Sequence, residues 1–120
     1  MPEPETKWIV KYETGDKNSF KFWENKYPRE FASCFDNLNR VVTELNSGKK
    51  LNGFRFNFFR FEKKDVWRIG QTGVLSAKET GLYVFVDQVN KLIHVLKIGG
   101  KDSQKKDIHW CIDCIKNFGR

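Results

Sequence analysis

Residues 28–48, PREFASCFDNLNRVVTELNSG, contain the clearest pattern in this sequence of 120 residues. Pro28 suits the first turn of a helix, and Gly48 stands where a helix commonly ends. Between them apolar residues recur every three or four positions, which makes one continuous stripe on a helix of about five turns. The stripe consists of Phe31, Cys34, Phe35, Leu38, Val41, Val42 and Leu45. The pattern predicts a helix that packs this stripe against another element.

Shorter segments surround this helix. Residues 8–12 are rich in β-forming side chains and predict a first strand, and residues 19–26 predict a first helix. After residue 50 the apolar period changes from helical to alternating, starting at Phe54, with a bulge expected at the Phe58–Phe59 doublet. Further elements are expected as strands at 66–69, 82–87 and 92–98, a long loop at 70–81 and a closing helix at 107–118.

This order predicts an α+β fold. Two N-terminal helices and a C-terminal helix are expected to pack on one antiparallel-rich sheet of about four to five strands. The tight connection at 88–91 indicates an antiparallel hairpin. We expect the helices on one face, which would leave the other face for function. The chain is interpreted as one domain over 7–120, preceded by a disordered segment at 1–6.

The net charge of +7 is unevenly distributed. Residues 47–68 hold seven basic against two acidic side chains, a local charge of +5, whereas residues 1–46 carry a charge of −1. Such a field attracts polyanions and favours nucleic acid as a partner. A solvated lysine-rich surface is the alternative explanation.

Other features of the composition argue against several classes of protein. The longest apolar run is far shorter than the roughly 20 residues that span a bilayer, so no membrane partner is expected. The acidic start MPEPETK is unlike a signal peptide, and three cysteines are unlike a disulfide framework. The sequence therefore predicts a cytoplasmic protein.

Three stretches resemble the RelE/ParE/HigB superfamily of toxins from toxin–antitoxin systems. Residues 66–69, VWRI, are similar to a short family strand in which Arg follows Trp or Leu. Residues 82–87 and 92–99 look like the family's final hairpin, and residues 101–108, KDSQKKDI, resemble a lysine-rich segment of the HigB-like branch. Three departures are that 78–81 reads KETG, where many members have Arg, that Gly100 precedes Lys101, and that no Tyr follows in the C-terminal helix, where some members have one.

The resemblance implies a ribosome-associated endoribonuclease that cleaves mRNA without a metal ion or other cofactor and is restrained by an antitoxin protein. Internal attack on RNA requires deprotonation of the 2′-hydroxyl, stabilisation of the phosphorane charge and protonation of the 5′-oxygen. A cationic cluster with a Tyr can supply these functions. The catalytic candidates are Lys97, Lys101, Lys105, Arg68 and Tyr83. The alternatives are a solvated lysine-rich turn and a half-buried strand tyrosine.

Further basic residues are candidates for RNA contacts that position the substrate. They are Lys49, Lys50, Arg55, Arg60, Lys63, Lys64 and Lys106. The phenylalanines at 54, 56, 58 and 61 are read as core rather than as a platform for bases. Two other functions remain open: a ParE-like inhibitor that binds DNA gyrase without catalysis, and a non-catalytic nucleic-acid-binding module.

The histidines and cysteines are interpreted as structural. His94 shares a strand face with Leu92 and Leu96, which is typical of a core histidine, and His109 is expected on an exposed helix face. His109, Cys111 and Cys114 supply three ligands where a structural zinc site needs four. No metal site is therefore expected, and the cysteines are predicted to be buried on helix stripes.

Overall fold

The computed structural model describes residues 7–75 and 77–118. The segment predicted to be disordered, 1–6, lies outside the described residues. Three α-helices pack on one five-stranded sheet, so the predicted α+β class is confirmed. The elements are β1 (Ile9–Lys11), α1 (Lys17–Lys26), α2 (Pro28–Asn46), a 3₁₀ turn (Leu51–Gly53), β2 (Phe59–Lys63), β3 (Val66–Gly70), β4 (Thr80–Asp87), β5 (Leu92–Gly100), a second 3₁₀ turn (Lys101–Ser103) and α3 (Gln104–Lys116).

The sheet has the strand order β1-β5-β4-β3-β2. β1 runs parallel to β5, and the other neighbours are antiparallel, as in the predicted β4–β5 hairpin. The hairpin register aligns Leu82 with Ile98 and Asp87 with Leu92. Because β1 and β2 are the edges, β4 and β5 lie in the interior of the sheet and can be buried on both faces.

Helix α2 confirms the apolar stripe read from the sequence. Its residues Cys34, Leu38, Val41 and Leu45 are buried, and they pack with the inward face of the sheet in the larger of two hydrophobic clusters. The helix ends at Asn46, and Gly48 then adopts a φ of +98°. Glycine reaches this left-handed conformation without the steric penalty of a side chain, so the chain can turn towards β2.

The strand predicted to start at Phe54 is wrong in its first half, because β2 begins only at Phe59. The Phe59 N–H donates to the Phe56 carbonyl at 3.2 Å, which closes a turn where the alternating pattern had suggested a ladder. The rings of Phe56 and Phe58 stack at 4.6 Å, and the Arg40 guanidinium lies about 5 Å from both ring centroids. The alternating phenylalanines therefore pack on the core from a turn and do not form a strand. The bulge expected at Phe58–Phe59 is not there, and the register of the sheet shifts between Phe61 and Lys63.

The expectation that all helices share one face is also wrong. Helix α3 packs on the face opposite α1 and α2, over a second cluster that contains Val66, Tyr83, Leu96 and Cys111. The physical reason is that β4 and β5 are almost continuously apolar, so both of their faces must be covered. None of the helices among the described residues is long and apolar enough to cross a membrane.

Candidate nucleic-acid interface

Three of the five predicted catalytic residues lie side by side across the sheet. Arg68 on β3 aligns with Tyr83 on β4, and Tyr83 aligns with Lys97 on β5. We call these three residues the cross-strand row. The row faces α3, whose residues Ile108, Cys111 and Ile112 pack around Tyr83. These three predicted catalytic residues are therefore neighbours in the sheet, but α3 covers them.

Arg68 is buried, with a residue exposure of 6%. Its side chain lies over Gly81, where an added Cβ would stand only 2.2 Å from Arg68 Nε, and close to Gly70, which pairs with Gly81 in the neighbouring strand. The two glycines make room for the side chain. Arg68 Nε has no hydrogen-bond partner among the described residues, and an unsatisfied buried donor costs about 1–3 kcal/mol.

Tyr83 is fully buried, and its hydroxyl also lacks a hydrogen-bond partner in the described part of the chain. Burial raises the pKa of Tyr83 to about 12, and the nearby charge of Arg68 only partly opposes this shift. A hydroxyl in this position is out of reach of a substrate and holds its proton tightly. The structure therefore does not offer Tyr83 as a proton-transfer group.

Lys97 is held by two carboxylates and a ring. Its ammonium group donates to Asp16 Oδ2 at the start of α1, lies 4.0 Å from Asp107 Oδ1 on α3 and is 5.0 Å from the centroid of Trp110. Only 17% of its side chain is exposed. Lys97 thus joins α1, β5 and α3 through charge, and two carboxylates already neutralise it.

The pKa values of the two carboxyl groups, Asp16 and Asp107, are shifted in opposite directions. Burial opposes ionisation of Asp16, but the hydrogen bond and charge of Lys97 outweigh it and lower the pKa of that carboxyl. Burial raises the pKa of Asp107, although a hydrogen bond from Ser103 Oγ at 2.7 Å and the charge of Lys97 oppose it. Asp107 lies over Gly99, where an added Cβ would collide with its carboxylate. A buried acid with a raised pKa beside a cation is a feature common at functional sites.

A cleft of about 600 Å³ opens beside this pair, and we call it the α1 cleft. One wall is aromatic: Trp23 and Tyr27 have ring centroids 4.6 Å apart, and Phe22 is 51% exposed. Gly100 lies under Trp23, since a Cβ there would stand 3.3 Å from the ring. Much of the remaining lining is polar and includes Lys78, Lys97, Asp102, Ser103, Lys106 and Asp107.

The remaining predicted catalytic lysines lie at the rim of this region and are solvent-exposed. Lys101 is 4.0 Å from Glu79 and has a side-chain exposure of 77%. Lys105 lies in the first turn of α3 beside Lys106, a predicted RNA contact that lines the cleft. Their charges are therefore accessible to a ligand, unlike those of the cross-strand row.

The predicted RNA contacts divide between separate parts of the surface. Lys49 and Lys50 line a second cleft beyond the end of α2. Arg60 and Lys63 are exposed on the edge strand β2, with Arg55 before it and Lys64 in the turn after it. Phe61, at 55% exposure, is solvent-facing, whereas Phe54, Phe56 and Phe58 pack with the core as predicted.

The histidines and cysteines hold structural positions. His94 is half-buried between Phe85 and Phe118, and burial lowers its pKa. His109 is exposed, Cys34 and Cys111 are buried, and Cys114 is half-buried. Among the described residues no group of three or more His, Cys, Asp or Glu side chains is arranged to hold a metal ion.

Sequence reasoning missed Asp16, Asp107 and the aromatic wall of the α1 cleft. Asp16 carried a signal, because Asp is a preferred residue at a helix N-cap. In the structure its side chain accepts from the Ser19 N–H at 3.4 Å and caps α1. Asp107 carried none, since its burial depends on α3 crossing to the far face of the sheet.

Comparison of this chain with protein-family models, with curated proteins and with solved structures finds no match in any of the three.

Proposed function

We propose that this protein is a cytoplasmic toxin of the RelE/ParE type that binds single-stranded RNA in the α1 cleft and cleaves mRNA at the ribosome without a metal ion. An antitoxin protein is the partner that would restrain it. The observation that carries the proposal is the group of exposed lysines, Lys101, Lys105 and Lys106, beside a cleft with an aromatic wall and a buried carboxylate.

The element order supports the family. One strand, two helices, a run of four strands and a closing helix are what the resemblance implied, and residues 66–69 and 82–99 form neighbouring strands of one sheet. The chemistry of the cleft supports RNA. Exposed lysines contact phosphates, and an exposed ring such as Phe22 can stack with an unpaired base.

The proposed reaction is an internal transesterification. The 2′-oxygen attacks phosphorus, the bond from phosphorus to the 5′-oxygen breaks, and the products are a 2′,3′-cyclic phosphate and a 5′-hydroxyl. Asp107 is buried but, unlike Arg68 and Tyr83, it lines the cleft. It takes the proton of the 2′-hydroxyl, because its raised pKa makes it a stronger base than an ordinary carboxylate. Lys101 and Lys106 stabilise the added negative charge, and Lys106 protonates the departing 5′-oxygen.

A second candidate is a non-catalytic RNA-binding module. The observation in its favour is the burial of Arg68 and Tyr83, which removes two of the five groups that the resemblance implied for catalysis. In this case the lysines and the aromatic wall would hold RNA, and Asp107 would serve only to fix Lys97.

The test compares Asp107→Asn with Asp113→Asn, an exposed acid on the same helix. Purified protein is incubated with ribosomes translating a defined mRNA, and RNA 5′ ends are mapped over time. Loss of a proton acceptor should reduce cleavage by about 10²-fold or more, and Asp113→Asn should cleave normally. Thermal melting of both variants controls for folding.

Two results would decide against the proposal. Equal cleavage by both variants would remove Asp107 from the reaction. RNA binding by the wild-type protein with no cleavage at any protein concentration would establish the non-catalytic candidate instead.

A further inference from the structure

Strand β2 forms one edge of the sheet, and within the described part of the chain only β3 pairs with it. The Gly70 N–H donates to the Phe58 carbonyl at 2.8 Å across this pair. Along an antiparallel ladder, hydrogen-bonded pairs alternate with pairs whose backbone groups point outward, so Phe59 and Phe61 point away from β3. The Phe59 N–H already donates to the Phe56 carbonyl. Phe61 therefore directs both its N–H and its carbonyl to the open edge.

The side chains at this edge offer a ring and two opposite charges. Phe61 is 55% exposed, and its ring meets that of Trp67 on β3 edge-on, with centroids 5.5 Å apart. Arg60 is aligned with the cross-strand row and Glu62 lies two residues further on, so both are on the face that α3 covers. Neither Arg60 nor Glu62 forms an ion pair with a described residue.

A second copy of the same strand complements this edge in one register. When two β2 strands run antiparallel about a two-fold axis at Phe61, the two Phe61 residues exchange both N–H···O bonds. Arg60 of each copy then stands directly opposite Glu62 of the other, with Cβ atoms about 4.5–5.5 Å apart. The neighbouring registers that also align outward backbone groups are centred on Arg60 or on Glu62. Each of them places identical charges opposite each other, which is unfavourable.

We propose that β2 is a dimerisation edge, on which a second copy of this chain adds its own β2 and joins the two five-stranded sheets into one. Backbone hydrogen bonds of Phe61, its ring and the Arg60–Glu62 ion pairs hold the two copies together. The ladder is short, because the Phe56 carbonyl occupies the Phe59 N–H at one end and the register shifts after Phe61 at the other. The dimer is therefore of the weak, concentration-dependent class. The inference goes beyond the proposed cleavage, which needs no second copy.

The experiment reverses the two charges separately and together. Arg60→Glu places acids opposite each other at both ends of the pairing, and Glu62→Arg places bases there. Analytical ultracentrifugation of protein freed of nucleic acid, from micromolar to millimolar concentration, measures Kd of the dimer. Each single variant should raise Kd by about tenfold or more, and Arg60→Glu/Glu62→Arg should return it close to the wild-type value. Lys21→Glu, an exposed reversal on α1, is the charge-matched control and should dimerise as the wild type does.

Mixing the two single variants separates this pairing from a general effect of net charge. The β2 strand of Arg60→Glu carries two acids, and that of Glu62→Arg carries two bases. Each chain therefore repels its own copy but faces opposite charges on the other variant. An equimolar mixture should form a heterodimer with Kd close to that of the wild-type dimer. Weak dimers of both single variants with no recovery in the mixture would overturn the proposed register. Thermal melting of every variant verifies folding.

Amide hydrogen exchange, followed by NMR, locates the contact. The Phe61 N–H should exchange more slowly as the protein concentration rises, whereas that of Val89, in the exposed β4–β5 turn, should not depend on concentration. A wild-type protein that stays monomeric at millimolar concentration, with Phe61 unprotected, would overturn the proposal and leave the edge to a strand of a different protein. A dimer that both single variants leave intact would place the contact elsewhere and overturn it as well.

Two further results separate the dimer from RNA binding and from the cleavage reaction. A dimer that disappears when nucleic acid is removed would assign Arg60 to RNA and overturn the proposal. Asp107→Asn, which tests the cleavage, should dimerise as the wild type does. Failure of the cleavage test would therefore leave the dimer intact, and failure of the dimer would leave the cleavage test intact.

Discussion

Individual side chains at the centre of this protein combine charge with burial. Arg68 and Tyr83 are buried without full hydrogen bonding, and Lys97 is shared by Asp16 and Asp107. Removing one partner of a buried ion pair is costly because the remaining charge loses its compensation. Asp16 and Asp107 therefore stabilise the fold over different ranges of pH, since their pKa values shift in opposite directions.

Asp16→Asn should lower the free energy of unfolding at pH 7 by about 1–3 kcal/mol. Asn still caps α1, so the loss reports the contact with Lys97. The folded-state pKa of Asp16 is lowered, and its contribution is therefore present above the unfolded-state value and lost as the pH falls through the folded-state value. Urea unfolding of both proteins from pH 7 to pH 2.5 measures the difference. We expect the difference in the free energy of unfolding to become smaller as the pH falls.

Asp107 provides the contrast for this measurement. Its folded-state pKa is raised, so its contribution is full below the unfolded-state value and lost as the pH rises through the folded-state value. The difference in the free energy of unfolding between the wild type and Asp107→Asn should accordingly become smaller as the pH rises. A pH-independent effect for both variants would show that folding shifts the pKa of neither carboxyl.

At the scale of single elements, the sequence predicted what depends on local periodicity. The α2 stripe and the β4–β5 hairpin follow from spacing and turn length, and both are present. The start of β2 and the face covered by α3 were not predictable in this way. Phe54, Phe56 and Phe58 alternate whether they pair in a sheet or pack from a turn, and the side taken by α3 depends on tertiary packing.

The candidate site shows the same division between local and tertiary information. Residues 66–69, 82–87 and 92–98 were assigned to strands, and that placed Arg68, Tyr83 and Lys97 close together. Their accessibility could not be read from the strands themselves. It depends on α3, which the sequence placed on the wrong face, and this is also why Asp107 was missed.

Helix α3 is attached to the sheet through Cys111, which is fully buried against Val66, Tyr83 and Leu96. Cys111→Ala should lower the free energy of unfolding by about 1–3 kcal/mol, because it leaves a cavity in a small cluster. Cys114→Ala is the matched control, since Cys114 is only half-buried and should cost less. Urea unfolding of the two variants gives the comparison. A larger loss for Cys114 would mean that α3 packs with a different face.

At the scale of the whole molecule, the α1 cleft is formed where α1, the end of β5 and the start of α3 meet. It combines an aromatic wall, Trp23 and Tyr27, with three lysines and three aspartates. Under the proposed function, this combination suits the placement of one nucleotide, because a ring can stack with the base and a lysine can contact the phosphate.

Induced expression of the protein should stop cell growth, with translation failing before DNA replication. The physical reason is that an enzyme acting on ribosome-bound mRNA interrupts protein synthesis directly, whereas replication continues until its proteins are depleted. Pulse labelling with an amino acid and with thymidine, at intervals after induction, measures the two rates. Asp107→Asn, expressed to the same level, should leave both rates close to those of uninduced cells, and Asp113→Asn should behave as the wild type. Replication failing first would point to gyrase as the target, and undisturbed growth at high levels of folded protein would contradict both toxin functions.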